Sequence, residues 1–497
     1  MGAEAGVCMV DVLELPQALD LPGLVTALSP GWECVYWLDS ATAQRVETSS
    51  HAPAGAPVRW SIFGVGERVE SMLSPAPALL EHPHDADASG SAHAHAHDAA
   101  GSHRRPAPEG PGPAWLWGGW VGYFGYEASA RFGHPRPLGP AGGPADTPDS
   151  LWIRVERYIL QDHHTGRSWA VGEASWCAAA SRAASCLSGT GSGAGSRAER
   201  RSGREGERAL IFPAPDPAGY RAMVRAALEQ IRDGRSYEVC LTAETQATLN
   251  QPLTCQSALA LYRAQRAANP APHAAFLWAG DHAVLSSSPE RFLRVEADGV
   301  AEAKPIKGTT PRGVTPEQDA EAAAWLAADA KTRAENLMIV DLMRNDFSRV
   351  CVPGSVTVPV LMGVESYASV HQLVSTVRGR LREGLGPLDL VAACFPGGSM
   401  TGAPKPSTLQ IIADLEQRPR GVYSGALGYI APGGELDLSI VIRTLVLTPG
   451  PGEGRTTARV AAGGAIVADS DPEAEYQEML AKLRAPLPRG WEVGAAG

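Results

Sequence analysis

The sequence predicts a layered α+β fold, and three observations predict it. Capped amphipathic helices alternate with paired strands, the composition is that of a globular chain, and two low-complexity inserts break an otherwise foldable sequence. The 497 residues are 44% hydrophobic and 20% charged, which supplies enough apolar surface for a sizeable core.

The helices announce themselves at their starts. Asp216 can cap a helix that Pro217 opens, Tyr220, Met223, Val224, Ala227 and Ile231 recur at helical spacing, and Gly234 ends it. Thr315, Pro316 and Gln318 begin an alanine-rich helix, and a second helical pattern runs from Lys331 to about Phe347. Asp471 and Pro472 begin the last helix, where Glu475 and Glu478 share a face while Met479 and Leu483 turn to the core. Between these helices, SYEVCLTAETQATL alternates as a strand, and LWAGDHAVLSSSPERFLRVEAD reads as two strands with a tight connection. GGWVGYFGYE (118–127) reads as a buried aromatic strand whose glycines permit close backbone approach.

The inserts set the domain plan. Residues 81–113, rich in Pro, Gly, Ala and His, cannot bury enough apolar surface to offset their ordering entropy and are expected to be disordered. His93, His95 and His97 alternate there, but nothing fixes them as a metal site. Residues 188–208 have linker composition and separate an N-terminal region, 1–187, from a second region, 209–490.

A formal net charge of −11 argues against wrapping nucleic acid or coating an anionic membrane, so any anionic ligand must meet a local positive pocket. The eight cysteines are scattered, without a metal or redox spacing, and are expected to be reduced. The first residues, MGAEAGVCMVDVLELPQALD, are acidic and lack a leader pattern, and no apolar run reaches membrane length. A cytoplasmic location is the expectation.

Three groups of residues carry candidate chemistry. Glu335, Glu475 and Glu478 are helix carboxylates beside glycine-rich loops, suited to a hard divalent cation, although Glu478 also has the spacing to pair with Lys482. The loops FPGGSMTGAPK (395–405) and AAGGAIVADS (461–470) expose N–H groups and hydroxyls of the kind that bind carboxylates. Lys307 lies in KPIKGTTPRG and Glu290 in SSSPERF. A lysine becomes a nucleophile only where its surroundings lower its pKa, and a glutamate becomes a general acid only where its own is raised.

Taken in order, SPERF, PIKGT, RAENLMIVDLMRND, HQLVST, FPGGSMTGAPK, YSGALGY, IRT and AGGAIVADSDPEAEYQE resemble the motifs of the chorismate-utilising enzymes. That family includes anthranilate synthase component I, aminodeoxychorismate synthase component I, isochorismate synthase and salicylate synthase. The resemblance covers residues 210–488 and weakens before 188–208. It implies an α/β/β/α layering, two packed antiparallel sheets with outer helices, and makes 209–490 a chorismate-binding catalytic domain.

The resemblance also implies roles. Anthranilate synthases carry alanine in PIAGT, whereas aminodeoxychorismate synthases resemble this chain in carrying lysine, so Lys307 points to amination at C4. Isochorismate and salicylate synthases place a lysine base where this chain has Glu238, which argues against activation of water at C2. Glu335 and Glu478, with Glu475 beside them, would bind Mg2+; Thr401, Tyr423, Arg443 and Lys482 would grip chorismate, with the backbone at Gly463, Gly464 and Ala465. Lys307 would attack C2 as the C4 hydroxyl leaves with a proton from Glu290, and ammonia would then displace the lysine. With no GxCxG-like nucleophile turn in the chain, ammonia would come from a glutamine amidotransferase partner.

Two features depart from the family pattern. The histidine that usually stands immediately before LVS is replaced by Gln372, with His371 one residue earlier. VYWLDSA (35–41) resembles a segment near which relatives bind tryptophan as a regulator or structural ligand. Anthranilate synthase component I and a catalytically idle chorismate-binding scaffold are the competing readings; Lys307 opposes the first, and the retained Glu290, Glu335 and Glu478 oppose the second.

Overall fold

A computed structural model describes residues 11–16, 19–39, 60–69, 118–134, 147–163, 165–189, 210–367 and 370–494. The His-rich insert, residues 190–208 of the expected linker, and residues 40–41 of VYWLDSA lie outside them.

Two large antiparallel sheets form the centre. Among the described residues the first has eleven strands, in the order Asp11–Glu14, Ser168–Gly172, Arg157–Asp162, Trp60–Gly66, Cys34–Asp39, His273–Ala279, Ala283–Ser288, Thr444–Pro449, Thr456–Ile466, Glu238–Leu249 and Gly402–Ala403. The second runs Ile306–Pro311, Val370–Arg380, Val300–Ala303, Arg291–Val295, Leu436–Ile440, Ala426–Ile430, Trp120–Phe124, Ser150–Arg154 and Arg68–Val69, with Thr357–Ser366 pairing Val370–Arg380. Strands from both sides of 188–208 enter both sheets, through registers such as Ala274↔Asp39 and Leu427↔Tyr123.

Three apolar clusters give the layering. Tyr36, Ile62, Tyr123, Leu151, Leu277 and Leu427 fill the space between the sheets. On the outer face of the first sheet, Val224 of helix Pro217–Arg232, Tyr262 of Cys255–Ala268 and Met479 of Pro472–Arg484 pack with Trp37 and Phe276. Ile339 and Phe347 of helix Ala330–Ser348, with Leu390 of Pro387–Cys394, cover the second sheet. This is the expected α/β/β/α arrangement. No helix among the described residues is long and apolar enough to cross a membrane.

The caps form as the local sequence dictates. Asp216 accepts from Ala218 N at 3.0 Å and Gly219 N at 2.9 Å, and Asp471 accepts from Glu473 N and Ala474 N at 3.0 and 2.8 Å. Gly234, at φ +74°, lies just past the first of these helices, where a side chain would be strained.

One segment differs from expectation. LWAGDHAVLSSSPERFLRVEAD contains parts of three strands, because Ala283–Ser288 belongs to the first sheet and Arg291–Val295 to the second. Pro289 lacks the N–H needed to continue a ladder, and the chain crosses between sheets at Pro289–Glu290. A second crossing, at 441–443, joins Leu436–Ile440 to Thr444–Pro449 and holds Arg443 at φ +53°.

A buried ion pair ties the FPGGSMTGAPK loop to helix Ala330–Ser348. Lys405 Nζ donates to Asp346 Oδ2 at 2.9 Å and to the Cys394 carbonyl at 2.6 Å, and both charged residues are buried. Lys405→Met strands the Asp346 charge and is expected to cost about 3–5 kcal/mol, read as a lower denaturant midpoint at unchanged m-value. A cost below about 1 kcal/mol would mean that water reaches Asp346.

Candidate active site

The two sheet crossings and the ends of neighbouring strands bring the expected residues toward one region. Glu290 occupies the first crossing and is buried, with its main-chain carbonyl accepting from Ile440 N at 3.0 Å. Its carboxyl accepts from Ser399 Oγ at 3.0 Å, so the FPGGSMTGAPK loop supplies a direct partner. Burial pushes the Glu290 carboxyl up to about 7, against the hydrogen bond from Ser399, the charge of Lys307 and the main-chain N–H of Ile306. A carboxyl so placed holds a proton near neutrality, as a general acid requires.

Lys307 follows Ile306, whose N–H reaches Glu290, and lies on strand Ile306–Pro311. Its Nζ is 2.9 Å from Glu238 Oε1; the two side chains are 11% and 0% exposed. Burial works against the ammonium, but the Glu238 and Glu335 carboxylates outweigh it and hold Lys307 above its ordinary value. At rest, Lys307 is therefore a cation, and nucleophilic chemistry requires that it first lose a proton. In the sequence Glu238 stands only as the replacement for another enzyme's base, because its contact with Lys307 spans 69 positions.

The three helix carboxylates interact but do not form a ready cluster: among the described residues no three His, Cys, Asp or Glu side chains are grouped as metal ligands. Glu335 lies 3.9 Å from Lys331, and Glu478 lies 2.7 Å from Lys482. Glu475 is buried and accepts from Ser470 Oγ at 2.6 Å. Burial raises both Glu335 and Glu475, with Glu478 adding to the rise in each. Glu478 falls below its ordinary value because Lys482 outweighs its burial.

Arg443 is half-buried, and its guanidinium forms no ion pair among the described residues. Burial lowers its pKa, with Tyr423 acting in the opposite direction. Burial holds the Tyr423 phenol well above its ordinary value, so it remains a hydroxyl donor. A partly desolvated guanidinium within electrostatic reach of a phenol fits a carboxylate.

Strand Thr456–Ile466 pairs with Thr444–Pro449 only from Thr456 to Val460, whereas its pairing with Glu238–Leu249 continues through Ile466. Beyond Val460 one backbone edge is therefore without a strand neighbour among the described residues at Gly463, Gly464 and Ala465. On that stretch Lys482 Nζ donates to the Gly463 carbonyl at 3.0 Å. A Cβ at Gly464 would come within 2.8 Å of Glu475 Oε2, so glycine keeps the strand against that carboxylate.

Thr401 is fully buried, and its hydroxyl donates to the Gly397 carbonyl at 3.2 Å, so its O–H bond is committed to the loop. His371 is held between Asp319 Oδ1 and Ser366 Oγ at 2.9 and 2.8 Å, and strand alternation turns Gln372 to the other face.

Known proteins resemble this chain in sequence, and a solved structure resembles it in fold. The chain is 46% identical over 391 residues to the aminodeoxychorismate synthase of Streptomyces pristinaespiralis, covering 74% of this chain and 50% of that protein, so it spans half the length of that relative. It is 35% identical over 375 residues to anthranilate synthase component 1 of Saccharolobus solfataricus, covering 75% of this chain and 80% of that one. The crystal structure of anthranilate synthase component I from Streptococcus pneumoniae TIGR4 superposes with a TM-score of 0.60 at 29% identity, covering 77% of this chain and 82% of that one. The family pattern itself matches residues 62–488, which take in strands of both sheets and the Glu290, Lys307 and Arg443 positions, and the chain belongs to the chorismate binding enzymes.

Proposed function

We propose that the chain aminates chorismate at C4, giving 4-amino-4-deoxychorismate, the precursor of 4-aminobenzoate, with ammonia from a glutamine amidotransferase partner. The observation that carries this reading is the placement of Lys307 near Glu290: an amine whose side chain is 11% exposed follows the residue whose main-chain N–H bonds a carboxyl raised to about 7, and its charge acts on that carboxyl. The reading is also supported by the 46% identity to an aminodeoxychorismate synthase.

Arg443, Tyr423 and the backbone edge at Gly463, Gly464 and Ala465 bind and orient the substrate carboxylates. Lys482 completes that surface, whereas Thr401, expected to grip the substrate, is fully buried with its hydroxyl donated to Gly397 and instead holds the loop beside it. Lys307, once neutral, attacks C2 while both ring double bonds shift and the C4 hydroxyl departs with the Glu290 proton. Ammonia then adds at C4, both double bonds return, and the C2–Nζ bond breaks. Two allylic displacements replace one direct displacement of hydroxide.

The donor set around Glu335, Glu475 and Glu478 fits Mg2+: these are hard oxygen donors, and two of the carboxyls are raised by burial and mutual repulsion, so the region is short of positive charge. Those three residues would hold the ion, which when bound supplies neutralisation and orientation of a substrate carboxylate. Lys331 and Lys482 now face Glu335 and Glu478 and would yield to it.

The test is mass analysis of products from chorismate, Mg2+ and ammonium, at a pH where free NH3 is present. The expected product is 4-amino-4-deoxychorismate, lost when Mg2+ is withheld. Anthranilate would replace this reading with C2 amination, and bound but unconverted chorismate would reduce the chain to a scaffold.

A further inference from the structure

We infer that Glu238 is the base that takes the proton from Lys307 and so creates the nucleophile; this rests on the Lys307 reading above. The geometry is direct. Glu238 Oε1 lies 2.9 Å from Lys307 Nζ, and no other hydrogen bond of that Nζ is found among the described residues.

The Glu238 backbone is fixed at the end of a strand. Its register partner is Ala403, its carbonyl accepts from Ser236 Oγ at 2.7 Å, and the preceding Tyr237 N donates to Ala403 O at 2.8 Å. The carboxylate is therefore presented to Lys307 by main chain rather than by a flexible loop.

Glu238 Oε2 is buried without a hydrogen-bond partner. A buried carboxylate with one oxygen unsatisfied is poorly stabilised as an anion. Desolvation of both charges narrows the gap between the ion pair, which holds at rest, and its neutral counterpart, an amine beside a carboxylic acid. Filling the site with substrate removes the remaining water from Lys307 and favours the neutral pair further.

Other charged and titratable groups act on Lys307. Cys240 shares the Glu238 strand, Glu335 projects from helix Ala330–Ser348, Glu290 lies at the sheet crossing and Glu478 on the last helix. Among the described residues, Glu238 alone touches the amine.

The protons balance through a turnover. The Lys307 ammonium gives H+ to Glu238, leaving an amine and a carboxylic acid. The amine lone pair forms the bond to C2, and the C4–O bond breaks with the Glu290 proton, releasing water. Ammonia forms the C4–N bond, and the C2–Nζ bond breaks, returning its electron pair to Nζ as a neutral amine. Glu290 recovers a proton from the new C4 ammonium, and Lys307 recovers its own from Glu238.

The test compares wild type with Glu238→Gln and Glu238→Asp in the full chain. Competitive acetylation of Lys307 by acetic anhydride, followed by mass spectrometry, gives the pH midpoint at which its amine is free. That midpoint should fall in Glu238→Gln, because the contacting anion is gone. Turnover is then measured at constant free NH3 as the ratio of variant to wild type. Below the labelling midpoint of Glu238→Gln, its ratio should rise tenfold per pH unit, since bulk water must now take the proton, and it should level off above. Glu238→Asp, which keeps a carboxylate, should give a ratio flat with pH.

A flat ratio for Glu238→Gln, or no turnover above its labelling midpoint while chorismate still binds, would overturn the assignment. Failure of the underlying reading shows separately, as wild type that makes no C4 amine or Lys307→Ala that still does.

Discussion

Lys307→Ala is expected to lower C4 amination by on the order of 10³-fold or more while chorismate still binds. The residual product should drift toward C2 chemistry, because the group that occupies C2 is gone. Substrate recognition is assigned to Arg443, Tyr423 and the open edge of strand Thr456–Ile466, none of which is hydrogen-bonded to the Lys307 ammonium.

Truncating Lys307 also strands Glu238, whose side chain is 0% exposed, and an uncompensated buried charge costs about 3–5 kcal/mol. A fall in turnover could therefore reflect lost stability. The double variant Glu238→Gln/Lys307→Ala removes both charges and should recover the denaturation midpoint without recovering turnover. Product analysis by mass, chorismate binding by equilibrium dialysis and urea melts separate the three quantities. Undiminished C4 amine from either variant would remove Lys307 from the mechanism.

The sequence disclosed this site unevenly, for a physical reason. Helix starts at Asp216 and Asp471 depend on side-chain bonds spanning two or three residues, so they can be read directly. Ordered motifs likewise placed Lys307, Glu290, Arg443 and the helix glutamates in one functional group. Contacts across long separations left no local trace: Glu238 reaches Lys307 over 69 positions, and Ser399 reaches Glu290 over 109. The sharing of both sheets by residues before and after 188–208 is equally non-local. Pro289 was the one local sign that the SSSPERF region is not a continuous strand, and the crossing at that residue places Glu290 between sheets.

Glu290→Gln should lower turnover by about 10²–10⁴-fold and, above neutrality, make the protein more stable. Both effects have one origin. Glu290 is 8% exposed, and burial raises its carboxyl from 4.5 in the unfolded reference to about 7. Its folded form therefore binds more protons than its unfolded form between those values. Stability present below pH 4.5 is lost as pH rises through about 7. The shift corresponds to about 3 kcal/mol. Glutamine does not ionise, so the variant should match wild type near pH 4 and exceed it by up to that amount near pH 8 in urea melts. Wild-type turnover at constant free NH3 should decline as pH rises through about 7, because the acid is then ionised. A stability difference unchanged between the two pH values would show that the Glu290 carboxyl is solvated, and with it would go the reason to regard this residue as the acid that releases the C4 hydroxyl.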